Sequence, residues 1–172
     1  MRKPMAAAGS LLFFVVAPGT VAGLIPWWLT GWDVRPTPSG WSGLFVPLRV
    51  LGIAMIVAGA GFVVSAFVRF VIEGFGTPAP IAPPSHLVVG GVYRYIRNPM
   101  YVALIICILG QALALNQPVL LTDAAITAAA FVGFAVIYEE PTLSRQFGSE
   151  YEAYRANVPG WWPRLHPWRA PE

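Results

Sequence analysis

The stretch "GGVYRYIRNPMYVAL", residues 90–104, joins a polar, aromatic segment to an apolar one. Asn98 followed by Pro99 is a strong helix start, because asparagine suits the N-cap and proline the first helical position. The apolar run that begins there continues to Leu115 with no polar face. A helix that is hydrophobic all round is buried in a large core or in lipid. Tyr93, Arg94, Tyr95, Arg97, Asn98, Pro99 and Tyr101 crowd this boundary, more than an interfacial anchor requires.

Composition decides between core and lipid. The 172-residue chain has the length of one domain, is 56% hydrophobic and only 11% charged, and has a mean hydropathy of +0.62. Soluble domains carry roughly 25% charged residues, so the solvent that suits this chain is the bilayer. The net charge of +3 then reports topology rather than affinity for nucleic acid, which is not expected as a partner. Cys107 is the single cysteine, which excludes an intrachain disulfide framework; in an apolar run it reads as a small buried residue.

Four apolar stretches stand out, about Ala6 to Leu29, Leu44 to Val71, Met100 to Leu115 and Val119 to Tyr138. A helix needs roughly 20 residues to cross the hydrocarbon core. The third is short and meets the fourth through Asn116, Gln117 and Pro118, which predicts a tight helical hairpin. Arg2, Lys3, Arg69, Arg94, Arg97, Arg145, Arg155, Arg164 and Arg169 fall on one side of a four-pass arrangement, against Arg35 and Arg49 on the other. This positive-inside bias predicts a multi-pass integral membrane protein with both termini cytoplasmic. The first apolar run extends through Trp27 and Trp28, longer than the core of a cleaved leader. Small residues at helical spacing, Ala54 and Ala58, Gly61 and Ser65, and Ala125, Ala129 and Gly133, are expected to pack helix against helix. Pro18 and Gly19 are expected to kink the first span.

The expected fold is all-α: a polytopic bundle of about four spans forming a single integral-membrane domain over residues 1–172. Residues 1–73 make a two-span region, and 74–172 carry a cytoplasmic loop, the hairpin and a C-terminal interfacial helix. The loop from Gly74 to Asn98, with Pro78, Pro80, Pro83 and Pro84, is too rich in burial-seeking residues such as Leu87, Val88 and Tyr93 to be passive. It is expected to fold back onto the bundle. Glu139 and Glu140 stand together where the fourth apolar run ends, and an acidic pair abutting a membrane calls for a reason such as a cationic ligand group. Ser149 and Glu152 have capping-box spacing for a short helix through Ala156. Tyr151, Tyr154, Trp161 and Trp162 are then expected to rest on the membrane surface.

In this order, "SHLVVGGVYRYIRNPMY" followed by "EEPTLSRQFGSEYEAYRANVP" resembles the isoprenylcysteine carboxyl methyltransferase and phospholipid methyltransferase superfamily of integral-membrane enzymes. The similarity covers about Gly76 to Pro163; the first two spans match only as apolar helices. The resemblance implies an S-adenosylmethionine-dependent methyltransferase whose pre-helix loop and helix start wrap the cofactor. It assigns cofactor contacts to Ser85, His86, Leu87, Val88, Tyr93, Asn98, Pro99, Met100 and Tyr101, and to the acidic pair Glu139 and Glu140. It assigns no covalent nucleophile and no metal, with Asn98 and Tyr101 as the closest candidates for the reacting centre.

The chemistry is consistent. An ammonium, a sulfonium and a carboxylate ask for an anion, for apolar or aromatic cover, and for donors; Glu139, then Leu87, Val88 and Tyr93, then the helix start at Asn98 supply them. Methyl transfer is an in-line displacement, so alignment and exclusion of water are the protein's main contributions. The implied acceptor is a lipid-like or small apolar molecule. Two positions depart from the family pattern. Asn98 replaces the motif histidine, keeping hydrogen bonding and losing proton transfer near neutrality. Ala135 replaces the arginine of prenylcysteine methyltransferases, which argues against a prenylcysteine carboxylate. Two other readings are an NADPH-dependent sterol or enone reductase, for which the loop holds few cations to meet the phosphates, and a non-catalytic membrane protein on the same scaffold.

Overall fold

A computed structural model describes residues 16–37, 40, 42–74 and 86–169. The first part of the first apolar stretch, the four prolines of the Gly74–Asn98 loop and Ser85 lie outside the described residues. Among those described, every regular element is helical. Helical backbone from residue 16 passes through a wide π-turn, Thr20–Leu24, into α1 (Ile25–Thr30). The long α2 (Ser42–Gly74) follows, then a 3₁₀ turn, Gly91–Arg94. Next come α3 (Pro99–Leu115) and α4 (Val119–Phe134), a second π-turn at Ala135–Glu139, α5 (Glu140–Phe147) and α6 (Ser149–Asn157).

Residues Gly43–Arg69 and Val119–Phe147 form two helices long and apolar enough to cross a membrane. α3, with 17 residues, is apolar but shorter. The apolar residues of these helices point largely outward: Val57 is 68% exposed, Ile126 65% and Ile137 80%. Each such side chain in water forgoes about 25 cal/mol per Å² of apolar surface. A bundle that turns this much hydrocarbon outward is stable where the surroundings are hydrocarbon too, as in an integral membrane protein.

α2 and α3 make the tightest packing. Gly52, Gly59, Val63 and Ala66 are the buried face of α2, the first three set against Ala103, Cys107, Gly110 and Ala114 of α3. A Cβ on Gly59 would stand 2.6 Å from Cys107 Sγ and 2.9 Å from the Ala103 carbonyl oxygen, and one on Gly52 would stand 2.5 Å from that of Gly110. The backbones therefore approach to a distance only glycine permits. This corrects the expected packing faces. Ala54, Ala58, Gly61, Ser65, Ala125 and Ala129 are exposed, and neither Gly61 nor Gly133 has a neighbour within 4 Å of its added Cβ. Small residues are spread around both sides of α2, and only the contour of α3 selects which set is used.

The first helix widens at Thr20–Leu24, directly after Pro18 and Gly19 and just before Pro26. Pro26 has no N–H to give the carbonyl four residues back, that of Ala22. The Gln111 side-chain amide reaches across from α3 and donates to that oxygen at 2.8 Å, while Trp32 Nε1 donates to Gln111 Oε1 at 3.2 Å. A buried glutamine in an apolar helix is thereby satisfied on both atoms, and the carbonyl freed by proline is not left bare. At the same end Arg35 N donates to the Leu115 carbonyl at 2.9 Å, and the left-handed Asn116 closes α3.

Two outcomes are expected in thermal or denaturant unfolding of the protein in detergent. Gly59→Ala lowers stability by about 1–3 kcal/mol through overpacking, whereas Gly61→Ala, with open space around it, is neutral or stabilising. Gln111→Leu costs roughly 1 kcal/mol because it strips the Ala22 carbonyl of its partner.

Candidate functional site at the start of α3

The segment 86–98 is bound on both sides. Val88 and Tyr93 are buried with Ala66 of α2, and Val92 and Met100 pack against them. Leu87 and Val89 turn instead toward Tyr151, Tyr154, Val158 and Trp168. Between these clusters Gly91 takes φ +56°, and the Arg69 side chain lies so close that a Cβ there would be 2.7 Å from its Nε. Glycine at this point meets both the backbone and the space requirement.

The residues after α6 run back along this segment. Arg97 N donates to the Pro159 carbonyl at 2.9 Å, Asn98 N to Gly160 at 3.2 Å, Arg164 N to Tyr95 at 3.0 Å and Trp168 N to Arg94 at 3.0 Å. Arg94 Nε returns a bond to the Trp168 carbonyl at 2.7 Å. The Tyr154 hydroxyl donates to the Tyr93 carbonyl at 2.7 Å. Tyr151 and Tyr154 are only 2% and 3% exposed, so they are core residues rather than the membrane-surface aromatics expected from sequence. Burial raises the pKa of both phenols above the ordinary value, which keeps them neutral. Trp162 is exposed. The capping box is not formed: Ser149 is the first helical residue after Gly148, and Glu152 Oε1 accepts from the Ser144 hydroxyl at 2.6 Å.

The acidic pair sits where α4 widens. In the π-turn the Glu140 N–H bonds the Ala135 carbonyl, and Pro141 follows at once. Proline removes the N–H due to Ile137 and crowds its carbonyl, a recognised cause of a widened or kinked turn. Both π-turns among the described residues end two residues before a proline, Pro26 in one case and Pro141 in the other. The consequence here is that the two carboxylates diverge. Tyr101, in the first turn of α3, donates its hydroxyl to Glu139 Oε2 at 3.0 Å. Glu140 Oε1 instead accepts from Arg97 Nη1 at 2.8 Å, and its Oε2 lies 3.3 Å from Arg155 Nη2.

Two further aromatic rings flank the first of these pairs. Tyr101 stacks on Phe131 of α4 with centroids 4.5 Å apart, and Trp161 lies nearly parallel to it at 6.3 Å. Asn98 occupies the N-cap position of α3 as expected, yet its side chain makes no capping bond. Among the described residues its Nδ2 is buried without a hydrogen-bond partner. Leaving a buried amide donor unpaired costs about 1–3 kcal/mol, so the atom is a candidate contact for a bound molecule.

Of the residues singled out from sequence, the structure brings together Tyr101 and Glu139, with Asn98 and the buried Pro99 at the same helix start. Val88, Tyr93 and Met100 form an adjoining cluster. Leu87 faces the α6 cluster, His86 is exposed, and Glu140 is engaged by two arginines. Phe131 and the inward role of Trp161 were not foreseen. Phe131 lies in an unbroken apolar run with nothing to mark it, and Trp161 carries the same signature as an interfacial tryptophan. Among the described residues no grouping of His, Cys, Asp and Glu could hold a metal ion.

Comparison with known proteins adds to this geometry. The sequence model of the phospholipid methyltransferase family matches residues 48–150. A protein-S-isoprenylcysteine O-methyltransferase of Schizosaccharomyces pombe is 35% identical over 79 residues, 46% of this chain and 34% of the relative. The chain thus spans about a third of the length of that curated relative. No solved structure matches. The family match runs from α2 through the first residues of α6 and takes in the α3 start, the π-turn and the acidic pair, so this chain belongs to the phospholipid methyltransferase family.

Proposed function

We propose that the protein transfers a methyl group from S-adenosylmethionine to a lipid-like or small apolar acceptor at the cytoplasmic face of a membrane. The observation that carries this reading is the Tyr101–Glu139 pair beside an aromatic stack and an unpartnered Asn98 donor. That donor set fits the cofactor. Glu139 Oε2 accepts from the Tyr101 hydroxyl, which orients the carboxylate to receive an ammonium group through a charge-assisted contact. Asn98 Nδ2 is a donor for a carboxylate or a hydroxyl. Tyr101, Phe131 and Trp161 offer ring faces to an adenine or a sulfonium.

When bound, the cofactor supplies a methyl group already activated on a positively charged sulfur. The chain's own residues orient the partners and keep water out, which is most of what an in-line displacement asks of a protein. Tyr101 fixes the Glu139 carboxylate. Trp161, brought in by the C-terminal segment, roofs the first turn of α3. Ala135, 1% exposed, occupies the position one turn before Glu139 where the resemblance implies an arginine. With no cation there to receive a carboxylate, an acceptor unlike that in the S. pombe relative's name is favoured.

The membrane arrangement belongs to the same proposal: one domain of about four spans, α3 and α4 forming its last two, with both termini and the α3 start on the cytoplasmic side. The nine-to-two distribution of cationic residues supports it. The reductase reading is weaker. Arg97 and Arg155 are committed to Glu140, and Arg94 bonds the Trp168 carbonyl, leaving those three poorly placed to receive the phosphates of NADPH.

Calorimetry with purified protein tests the proposal. S-adenosylhomocysteine is expected to bind and NADPH is not; binding of NADPH alone overturns the methyltransferase reading. Glu139→Gln and Tyr101→Ala each weaken S-adenosylhomocysteine by about tenfold or more, the worth of one charge-assisted contact. Glu150→Gln, on the exposed side of α6, leaves the affinity unchanged. Equal affinities in all three variants contradict the placement of the site.

A further inference from the structure

We propose that Glu140 is a positioning residue for Glu139, and not a second ligand for a cationic group. The inference rests on the cofactor reading above and concerns the division of labour between two adjacent carboxylates. Both oxygens of Glu140 are engaged, one by Arg97 Nη1 at 2.8 Å and the other by Arg155 Nη2 at 3.3 Å. An ammonium approaching Glu140 would meet two guanidinium groups, and like charges at such range repel. Glu139 accepts from the Tyr101 hydroxyl through one oxygen, and the Arg97 charge reaches it without a direct bond. Of the two carboxylates, Glu139 is the one with no arginine bonded to it among the described residues.

Arg97 is itself immobilised, which is what makes Glu140 an anchor. Its Nε donates to the Val158 carbonyl at 2.9 Å and its Nη1 also donates to the Tyr151 hydroxyl at 3.0 Å. The Arg97 and Glu140 side chains are each 13% exposed. Consecutive residues of a helical turn point in different directions around the axis. Holding Glu140 on Arg97 therefore sets the rotation of the π-turn end and directs Glu139 toward α3, where Tyr101 receives it. The same bond joins α5 to the segment before α3 and, through Val158, to the chain after α6.

The test compares two ligands on the full-length protein: S-adenosylhomocysteine, and 5′-methylthioadenosine, which keeps the thionucleoside and lacks the amino acid part. Glu140→Gln is expected to weaken S-adenosylhomocysteine about tenfold, comparable to loss of one charged contact, and to leave 5′-methylthioadenosine within about twofold. In a Glu139→Gln background the same change is expected to have no further effect, because Glu140 acts through Glu139. An added loss in the double variant means direct contact and overturns the proposal. Equal loss of both ligands, or no loss, overturns it as well.

Should Glu140→Gln fail to fold, Arg155→Gln removes only the more exposed arm of the clamp and is expected to weaken S-adenosylhomocysteine alone, by a few-fold; no selective loss overturns the proposal. If the unmodified protein binds neither ligand, the methyl-donor reading fails, and hydrogen exchange then judges the anchor. Loosening Glu140 is expected to speed amide exchange at residues 97–98 and 135–141, and unchanged exchange there overturns the proposal.

Discussion

The Arg97 guanidinium joins groups from three parts of the chain: the Glu140 carboxylate at the start of α5, the Tyr151 hydroxyl in α6 and the Val158 carbonyl beyond it. Its own backbone N–H bonds Pro159. A largely buried cation must be compensated by an anion and by hydrogen-bond acceptors, or its desolvation is not recovered. Arg97 has both. The cost of removing either partner is therefore shared by the α3 start, the acidic pair and the C-terminal segment, the three pieces from which the candidate site is built.

A second constraint acts deeper in the bundle. Surrounded by hydrocarbon, a backbone carbonyl has no water to turn to. Prolines 26 and 141 each release a carbonyl, and each is preceded by a widened turn. In the first case the amide of Gln111 fills the gap and ties the N-terminal helix to α3. In the second the widened turn separates the directions of Glu139 and Glu140. One covalent property of proline thus contributes to helix packing at one end of the molecule and to site geometry at the other.

Much of this was readable in advance. Helical class, the apolar stretches, the α3 start at Pro99 and the turn through Asn116 to Pro118 follow from runs of hydrophobic residues and from the chemistry of Asn and Pro, both local properties. Tyr101 and Glu139 stood out because polar groups at the edge of apolar runs are conspicuous, and the structure joins them. Less was legible where several residues of similar chemistry compete. Glycines and alanines occur on more than one face of α2, and the buried set, Gly52 and Gly59, was not the set expected. Tyr151, Tyr154 and Trp161 carry the signature of membrane-surface aromatics yet turn inward, because the chain after α6 folds back over residues 94–98.

By itself the sequence determined what kind of solvent the chain requires, where α3 begins and ends, and which residue types collect at its start. Those are set by hydrophobicity and by backbone restrictions that act within a few residues. Only the tertiary structure decided that Glu139 meets Tyr101 while Glu140 meets Arg97, that Trp161 covers Tyr101, and that Asn98 keeps an unused donor instead of capping its helix. Each of these depends on side-chain direction, set by the pitch of one π-turn and the path of the C-terminal segment. The rotation of the backbone from one residue to the next separates neighbours that look interchangeable in the sequence.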